Sequence, residues 1–169
     1  MSRTHERKSI RQNLVTILKS GVPSVSNRVY PQRKIPVPTS KLPAILVYTT
    51  NENNNDIDNV NVKRMLSISV EIQDQGTDEI TVSEQLDDLA SAVEIAIQNN
   101  ERLNDIAVTT TLRRTQEAFT DEGKTIFGGV KMDYECVYYT ENIADEGADV
   151  LQTMAGSITG LESDNTLPQ

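Results

Sequence analysis

The chain has 169 residues and a net charge of −9, and its length fits one domain and excludes a two-domain enzyme. Only 37% of the residues are hydrophobic, and no apolar stretch is long enough for a membrane span or a secretory signal, so we expect a soluble intracellular protein. The single cysteine, Cys136, excludes an internal disulfide and a cysteine-rich zinc site, and the single histidine, His5, removes most metal and acid-base chemistry.

The N-terminal part predicts a helix followed by an extended connector. Residues 4–20 predict an amphipathic helix, whose apolar stripe is formed by Ile10, Leu14, Ile17 and Leu18. Gly21 and Pro23 then end the helix. Residues 27–31 predict a short edge strand, and the prolines between positions 31 and 43 favour an ordered, non-helical connector.

Two strands joined by a polar loop are predicted next. Residues 43–50 form an apolar run, which favours a mid-sheet strand buried on both faces. Residues 51–61 are rich in asparagine, and we expect a mobile hairpin loop there, with Asn53, Asn54, Asn55 and Asp56 at its centre. Residues 66–72 alternate between apolar and polar, which predicts a strand with one dry and one wet face.

The second half predicts a helix and a β-hairpin. Thr81 and Glu84 form a capping box, and the helix that follows runs to about residue 100. Its apolar stripe is formed by Val82, Leu86, Leu89, Val93 and Ile97. Strands are predicted over residues 107–118 and 126–140, with a turn at Gly123 and a bulge at Gly128-Gly129. One face of the last strand is formed by Val130, Met132, Tyr134, Cys136 and Tyr138.

This order of elements predicts an α+β fold, with two helices packed on one face of a largely antiparallel or mixed sheet. We assign residues 1–140 to this single domain and residues 141–169 to an acidic C-terminal tail, which is partly disordered or docks on a partner. Within the tail a heptad-like spacing, weakened as a helix by two glycines, indicates a docking segment formed by Leu151, Met154, Ile158 and Leu161.

The charge is unevenly distributed along the chain. Residues 1–41 carry a charge of +8, residues 42–140 a charge of −11, and the tail a charge of −6. Unlike charges on one small chain suit interfaces between subunits or partners, although ordinary solvated faces explain each patch equally well. The interface candidates are Arg28, Arg33, Lys34, Asp87, Asp88, Arg113 and Arg114.

Few residues offer catalytic or metal-binding chemistry. His5 lies in a charged terminus, and Cys136 falls in register with buried strand residues, so neither is expected to react. Asp87 and Asp88 diverge by about 100° on a helix. The segment from Asp56 to Asp58 lacks the glycine and the closing glutamate of a calcium loop. We expect no catalysis, no metal and no cofactor.

Nucleic-acid and membrane partners are not expected either. The isoelectric point is near 4.6 and aromatic residues make up 4%, whereas a nucleic-acid-binding domain is usually basic with interleaved aromatic residues. Arg113-Arg114 and Arg33-Lys34 are paired cations that could contact phosphates. The composition therefore argues against sequence-specific recognition of DNA or RNA.

Several segments together resemble the tail terminator family of long-tailed bacteriophages. They are the N-terminal helix from Ile10 to Leu18, residues 27–31, the run Leu42 to Thr49, the alternating strand Leu66 to Ile72, the helix around Leu86 to Leu89, and Asp133 to Thr140. The resemblance covers residues 8–140. The asparagine-rich stretch at 51–61 and the tail after Thr140 depart from the family pattern.

The resemblance implies a structural virion protein, made late and assembled in the host cytoplasm, that performs no reaction. Such a protein forms a homo-hexameric ring on the head-proximal end of the tail, where it caps the tail tube, stops its polymerisation and offers a head-joining surface. Its implied partners are its own copies, the major tail tube protein and head-tail connector proteins.

Two other functions remain open from the sequence. Another head-tail connector or neck protein would share a small α+β fold and ring symmetry. A small cellular ligand-binding domain would need a pocket with convergent polar groups, whereas the sequence offers mostly scattered Asn and Thr.

Overall fold

The computed structural model describes residues 5–58 and 60–141, which form two α-helices, two short 3-10 helical turns (Pro23–Arg28 and Thr39–Lys41) and one five-stranded sheet. The helices are α1 (Glu6–Gly21) and α2 (Glu79–Gln98), and the strands are β1 (Val29–Pro31), β2 (Ala44–Asp56), β3 (Asn61–Gly76), β4 (Thr109–Glu122) and β5 (Thr125–Glu141). The strand order is β1-β2-β3-β5-β4, and only the β1–β2 pair is parallel. The predicted α+β fold is confirmed.

Both helices pack on one face of the sheet, and the main core lies between the two layers. The predicted apolar stripes of α1 and α2 are buried there, where they pack against alternate residues of the central strands. These strand residues are Ile45, Val47, Leu66, Ile68, Val70, Ile72, Val130, Met132, Tyr134, Cys136 and Tyr138. The helices approach closely at Gly21, where an added Cβ would lie 2.5 Å from the Cβ of Ala96. In the described part, neither helix has the length and apolar character needed to cross a membrane.

The helix starts are set by side-chain caps. At the start of α1, Nδ1 of His5 accepts a hydrogen bond from the backbone N–H of Arg7 at 3.3 Å. At the start of α2, the Asp78 carboxylate accepts bonds from the backbone N–H and the hydroxyl of Thr81. The predicted capping box at Thr81 is therefore wrong, because a carboxylate three residues earlier caps the first turn.

The asparagine-rich segment is mostly strand, so the prediction of a loop over residues 51–61 is wrong. β2 runs on to Asp56, and β3 begins at Asn61. Residues Asn53, Asn54, Asn55 and Asp56 pair with Met65, Arg64, Lys63 and Val62 of β3. The backbone of a long neighbouring strand supplies hydrogen-bond partners whatever the side chains are, and this overrides the low strand propensity of asparagine. The prediction that β2 is buried on both faces holds for Ala44 to Val47, although β3 is the middle strand.

The glycines of β5 do not form the predicted bulge. The pairing register runs unbroken through Gly128 and Gly129, and the irregularities lie instead between Thr49 and Glu52 and between Leu112 and Arg114. A Cβ on Gly128 would lie 2.6 Å from Cδ1 of Leu86, so this glycine makes room for α2. The turn predicted at Gly123 is confirmed by its φ of 75°.

The turn between α2 and β4 has an unusual backbone. Leu103, Asn104 and Asp105 have φ values of 46°, 60° and 65°, and left-handed backbone costs about 1–2 kcal/mol for each such residue. The Leu103 side chain is fully buried, which offsets part of this cost. The Asn104 amide also donates to Oδ1 of Asn13 at 2.9 Å, which ties the turn to α1.

Candidate functional site

The residue types that carry most catalytic chemistry are not gathered together in the described residues. Within 5–58 and 60–141, no group of three or more His, Cys, Asp or Glu side chains could hold a metal ion. Cys136 is buried, as predicted for a strand residue, and burial raises the pKa of its thiol to about 11. His5 is exposed, and its ring caps α1.

The first surface is the face of the sheet that carries no helix, here called the open face. Its residues alternate with the core residues of the same strands and are Met65, Ser67, Ser69, Glu71, Thr109, Thr111, Arg114, Gln116, Lys131, Asp133, Glu135, Val137 and Tyr139. Most are polar or charged, as expected for an antiparallel sheet with one face in water. The predicted polar face of β3 is found on this side of the sheet, but its exposure is lower than predicted, because Ser69 is buried and Ser67 and Glu71 are only partly exposed.

Opposite charges are paired on the open face. Nη2 of Arg113 lies 2.7 Å from Oε1 of Glu135, and Nζ of Lys131 lies 3.7 Å from Oδ1 of Asp133. Arg114 is exposed and stands opposite Asp133 in the strand register. Exposed pairs of this kind contribute about 0–1 kcal/mol to folding, so these side chains remain available to a charged partner.

On the same side of the sheet as the open face, the connector between β1 and β2 covers the first part of β2. Val37, Ala44 and Leu46 form a small second core there, with Tyr48 packed against it. The Tyr48 hydroxyl donates to the backbone carbonyl of Arg33 at 2.9 Å. The connector is therefore ordered, as predicted.

Arg33 and Lys34 lie on the connector at the rim of this side. The guanidinium of Arg33 stacks over the Tyr30 ring, 4.8 Å from its centroid, and donates to the carbonyls of Ile35 and Pro36. Lys34 is exposed. Both residues line a groove of about 410 Å³ between the connector and the start of β5. The structure thus places these two predicted interface residues on the surface.

Asp74 is also among the residues that line that groove, although its pairing with Gly128 puts it in phase with the helix-facing residues of β3. Only 4% of the residue is exposed, and its Oδ1 accepts a hydrogen bond from the backbone N–H of Gln75 at 2.8 Å. Burial raises the pKa of this carboxyl, although the Gln75 bond and the charge of Arg28 act in the opposite direction. The groove therefore combines a buried acid with two cations at its rim.

Arg28 occupies a different environment from the other predicted interface residues. Its guanidinium donates to the carbonyl of Ser24 at 2.6 Å and to the carbonyl of Leu42 at 3.2 Å. These bonds hold the connector against the short helical turn before β1. The structure therefore gives Arg28 a position inside its own chain and separates it from Arg33 and Lys34.

Asp87 and Asp88 lie on the opposite side of the molecule from the open face. Both are exposed, whereas their neighbours Leu86 and Leu89 are buried against the sheet. All five ionisable residues of α2 are acidic, and none is Lys or Arg. The charged side chains of α2 are therefore all negative, and they share its outer surface with the exposed Ile80 and Ile95.

A partly buried ionic cluster, which was not predicted from the sequence, is centred on Glu52. Its carboxylate accepts bonds from the Tyr138 hydroxyl at 2.6 Å and from Nη1 of Arg64 at 2.8 Å, and Nε of Arg7 lies 4.0 Å away. Burial alone would raise the pKa of Glu52. The hydrogen bonds from Tyr138 and Arg64 lower the pKa, and so do the positive charges of Arg64 and Arg7. Together they outweigh the effect of burial, so the pKa of Glu52 lies below its usual value. The cluster ties α1 to the β2–β3 hairpin.

The predicted docking segment of the tail, with Leu151, Met154, Ile158 and Leu161, lies outside the described residues. So does the proposed tail domain apart from Glu141, which ends β5. The exposed apolar residues Val108 and Tyr139, which lie near the end of β5, were also not predicted from the sequence. The alternation of β5 already placed Tyr139 on the wet face and could have revealed it.

No protein-family model matches the chain, and no curated protein matches it. Among the solved structures that match is a chain from the virion of a native gene transfer agent particle. The two chains share 12% sequence identity with a TM-score of 0.40, and the match covers 73% of this chain and 94% of the other. At these values the similarity carries no argument about family or function.

Proposed function

We propose that the protein is a structural virion component of a tailed bacteriophage, a tail terminator that forms a hexameric ring. The ring caps the tail tube, stops its polymerisation and presents the surface to which the head is joined. The proposal starts from the family resemblance of residues 8–140, whose predicted helices and strands occur in the expected order. It assigns the protein to the head-proximal end of the tail.

The observation that carries the proposal is the position of unlike charges on opposite sides of a two-layer domain. The cations Arg33, Lys34 and Arg114 lie on the sheet side. The acidic surface of α2, including Asp87 and Asp88, lies on the helix side. A ring needs a head-to-tail contact between two different patches, and these two sides supply a complementary pair.

A ligand-binding role is the second candidate, and the connector groove is the observation that favours it. The groove has the volume of a small-molecule site, and it combines apolar residues with Asp74, Arg33 and Lys34. The same cations would face the neighbouring subunit in a ring. Loss of assembly on their reversal would distinguish the ring contact from a ligand site.

The test is the solution mass of the full chain, measured by light scattering over a concentration series with and without purified tail tube protein. The proposal predicts a species about six times the 18.8 kDa chain mass, alone or on the tube. A monomer at every concentration that also ignores the tube would contradict it.

Charge reversal identifies the contact. We expect Arg33→Glu with Lys34→Glu to abolish the hexamer, because like charges would then face each other across the interface. Combining these changes with Asp87→Lys and Asp88→Lys restores the attraction and should restore the ring. A matched control, the reversal of the exposed α1 cations Lys8 and Lys19 to Glu, should leave the mass unchanged.

Hexamers that survive the reversal of Arg33 and Lys34 would remove these residues from the interface. Failure of the combined variant to recover would show that Asp87 and Asp88 are not their partners.

A further inference from the structure

An apolar patch lies on the open face where β5 ends. Tyr139 is 52% exposed and Val108 is 47% exposed, although both are large apolar side chains. Met65 and Val137 are half-buried and stand opposite each other in the β3–β5 register. The rest of the open face is mainly polar, so these four residues form a distinct cluster, here called the exit patch.

A hollow of about 410 Å³ lies beside the exit patch. It is formed where the left-handed turn leads into β4, and it is lined by Arg102, Asp105, Ile106, Ala107, Val108 and Tyr139. Two residues, Val108 and Tyr139, belong to both the patch and the hollow. The two features therefore form one continuous surface, in which the apolar side chains Val108 and Tyr139 lie beside the polar Arg102 and Asp105.

Charges of both signs border this surface, and among its cations Lys63 has no acidic partner in the part of the chain that the structure describes. Lys63 stands opposite Tyr139 in the strand register. Arg102 pairs with Asp105 at 3.3 Å, but both side chains are well exposed, so that pair is weak. Besides Asp105, the acidic side chain near this surface is Glu141, at the end of β5. An occupant with apolar residues and negative charge would fit.

The chain itself continues from this point with a matching sequence. Residues 142–169 contain five acidic residues and no Lys or Arg. They also contain the apolar set Leu151, Met154, Ile158 and Leu161. Glu141 lies only two residues beyond Tyr139, and the nine residues from 142 to 150 can span up to about 30 Å. The connecting length is therefore sufficient for the segment to reach the exit patch.

We propose that the exit patch and its hollow bind residues 150–161 of the same chain, with Leu151 and Met154 against Val108 and Tyr139. The acidic residues that flank this segment then face Lys63 and Arg102. This contact covers the apolar end of the open face, as the connector covers the first part of β2. It is independent of the ring, because none of its residues belongs to the proposed subunit contact.

Hydroxyl-radical footprinting of the full chain, read residue by residue by mass spectrometry, tests the contact. Tyr139 and Met65 report on the patch, and the buried Tyr134 and Met132 are internal references. With Leu151→Asp and Met154→Asp, we expect Tyr139 to be modified about fivefold faster, because the apolar cover is lost. The references should not change.

A matched control adds the same two negative charges to the tail without removing an apolar group. Asn165→Asp with Thr166→Asp should therefore leave the modification of Tyr139 at the parent rate. Equal rates for Tyr139 in the parent and in the Leu151→Asp, Met154→Asp variant would overturn the proposal. If the protection of Tyr139 disappeared on dilution, the proposal of a contact within one chain would also be overturned. The tail of a second copy would then be the occupant of the patch.

Discussion

The two faces of the sheet use the same strands for different purposes. On the helix side, alternate residues of β3 such as Leu66, Ile68 and Val70 are almost completely buried. On the open side, the residues between them are the polar Ser67, which is partly exposed, and Ser69, which is buried, and the open face continues onto β5 with the partly exposed Asp133 and Glu135. The difference shows that folding stability is concentrated in the helix-covered layer, whereas the open face is available for contacts with other molecules. The predictions below test that division.

Removing a core side chain should have the largest effect. Leu86 is fully buried between α2 and the sheet, and Leu86→Ala should lower the free energy of unfolding by about 2–5 kcal/mol through lost burial and a cavity. Val137→Ala on the open face should cost less than about 1 kcal/mol. Chemical denaturation of both variants checks this pair, and equal losses would contradict the division between the faces.

The Glu52 cluster should come next. Glu52→Gln leaves the buried part of Arg64 without its anionic partner, and we expect a loss of about 1–3 kcal/mol at neutral pH. Glu117→Gln is the control, because Glu117 is exposed and only its bond to the Ser83 hydroxyl changes. It should cost less than about 0.5 kcal/mol.

The effect of Glu52 should also depend on pH. Because the folded pKa of Glu52 lies below its ordinary value, the stabilisation is complete above the unfolded pKa and is lost as the pH falls through the folded pKa. The difference in unfolding free energy between the parent and Glu52→Gln should therefore shrink at acid pH. A difference that grew on acidification would show that the ionised carboxylate is not the stabilising form.

The two adjacent glycines of β5 offer a finer comparison. A Cβ on Gly128 would lie within 2.9 Å of Leu86, Phe119 and Val82, so Gly128→Ala should cost about 1–3 kcal/mol through overpacking. On Gly129 the nearest atom is the Ile72 carbonyl oxygen at 3.5 Å, an ordinary contact. Thermal unfolding should show Gly129→Ala to be close to neutral, and similar losses for both would disprove the close approach of α2 to the sheet at Gly128.

The smallest effect on folding is expected on the open face. Arg113→Ala removes an exposed ion pair with Glu135 and should change the free energy of unfolding by less than about 1 kcal/mol. A loss comparable to that of Leu86→Ala, measured by the same denaturation, would mean that the open face contributes to folding as the core does.

The sequence predicted the elements that depend on local pattern. The alternation around Ile68 and the helical stripe that includes Leu86 and Val93 correctly identified the buried faces, because each period of apolar residues reports one side of one element. The α2 cap was also within reach, since Asp78 stands three residues before Thr81 as an N-cap should.

The features that were missed depend on residues far apart in the chain. The polar end of β2 is a strand because β3 pairs with it, and the pattern of asparagines carries no sign of that partner. The Glu52 cluster joins Arg7, Arg64 and Tyr138 from three different elements. The candidate interface surfaces also depend on residues far apart in the chain. Arg33 and Arg114 come to lie on one side of the sheet only through the order of the strands.

The most direct test of the central claim is the length distribution of tail tubes assembled from purified tube protein, counted by electron microscopy with increasing amounts of this protein. The account predicts tubes that become shorter and stop growing, each carrying a ring at one end, whereas the Arg33→Glu, Lys34→Glu variant leaves the lengths unchanged. Tubes that grow to the same length with and without the parent protein would contradict the tail terminator function.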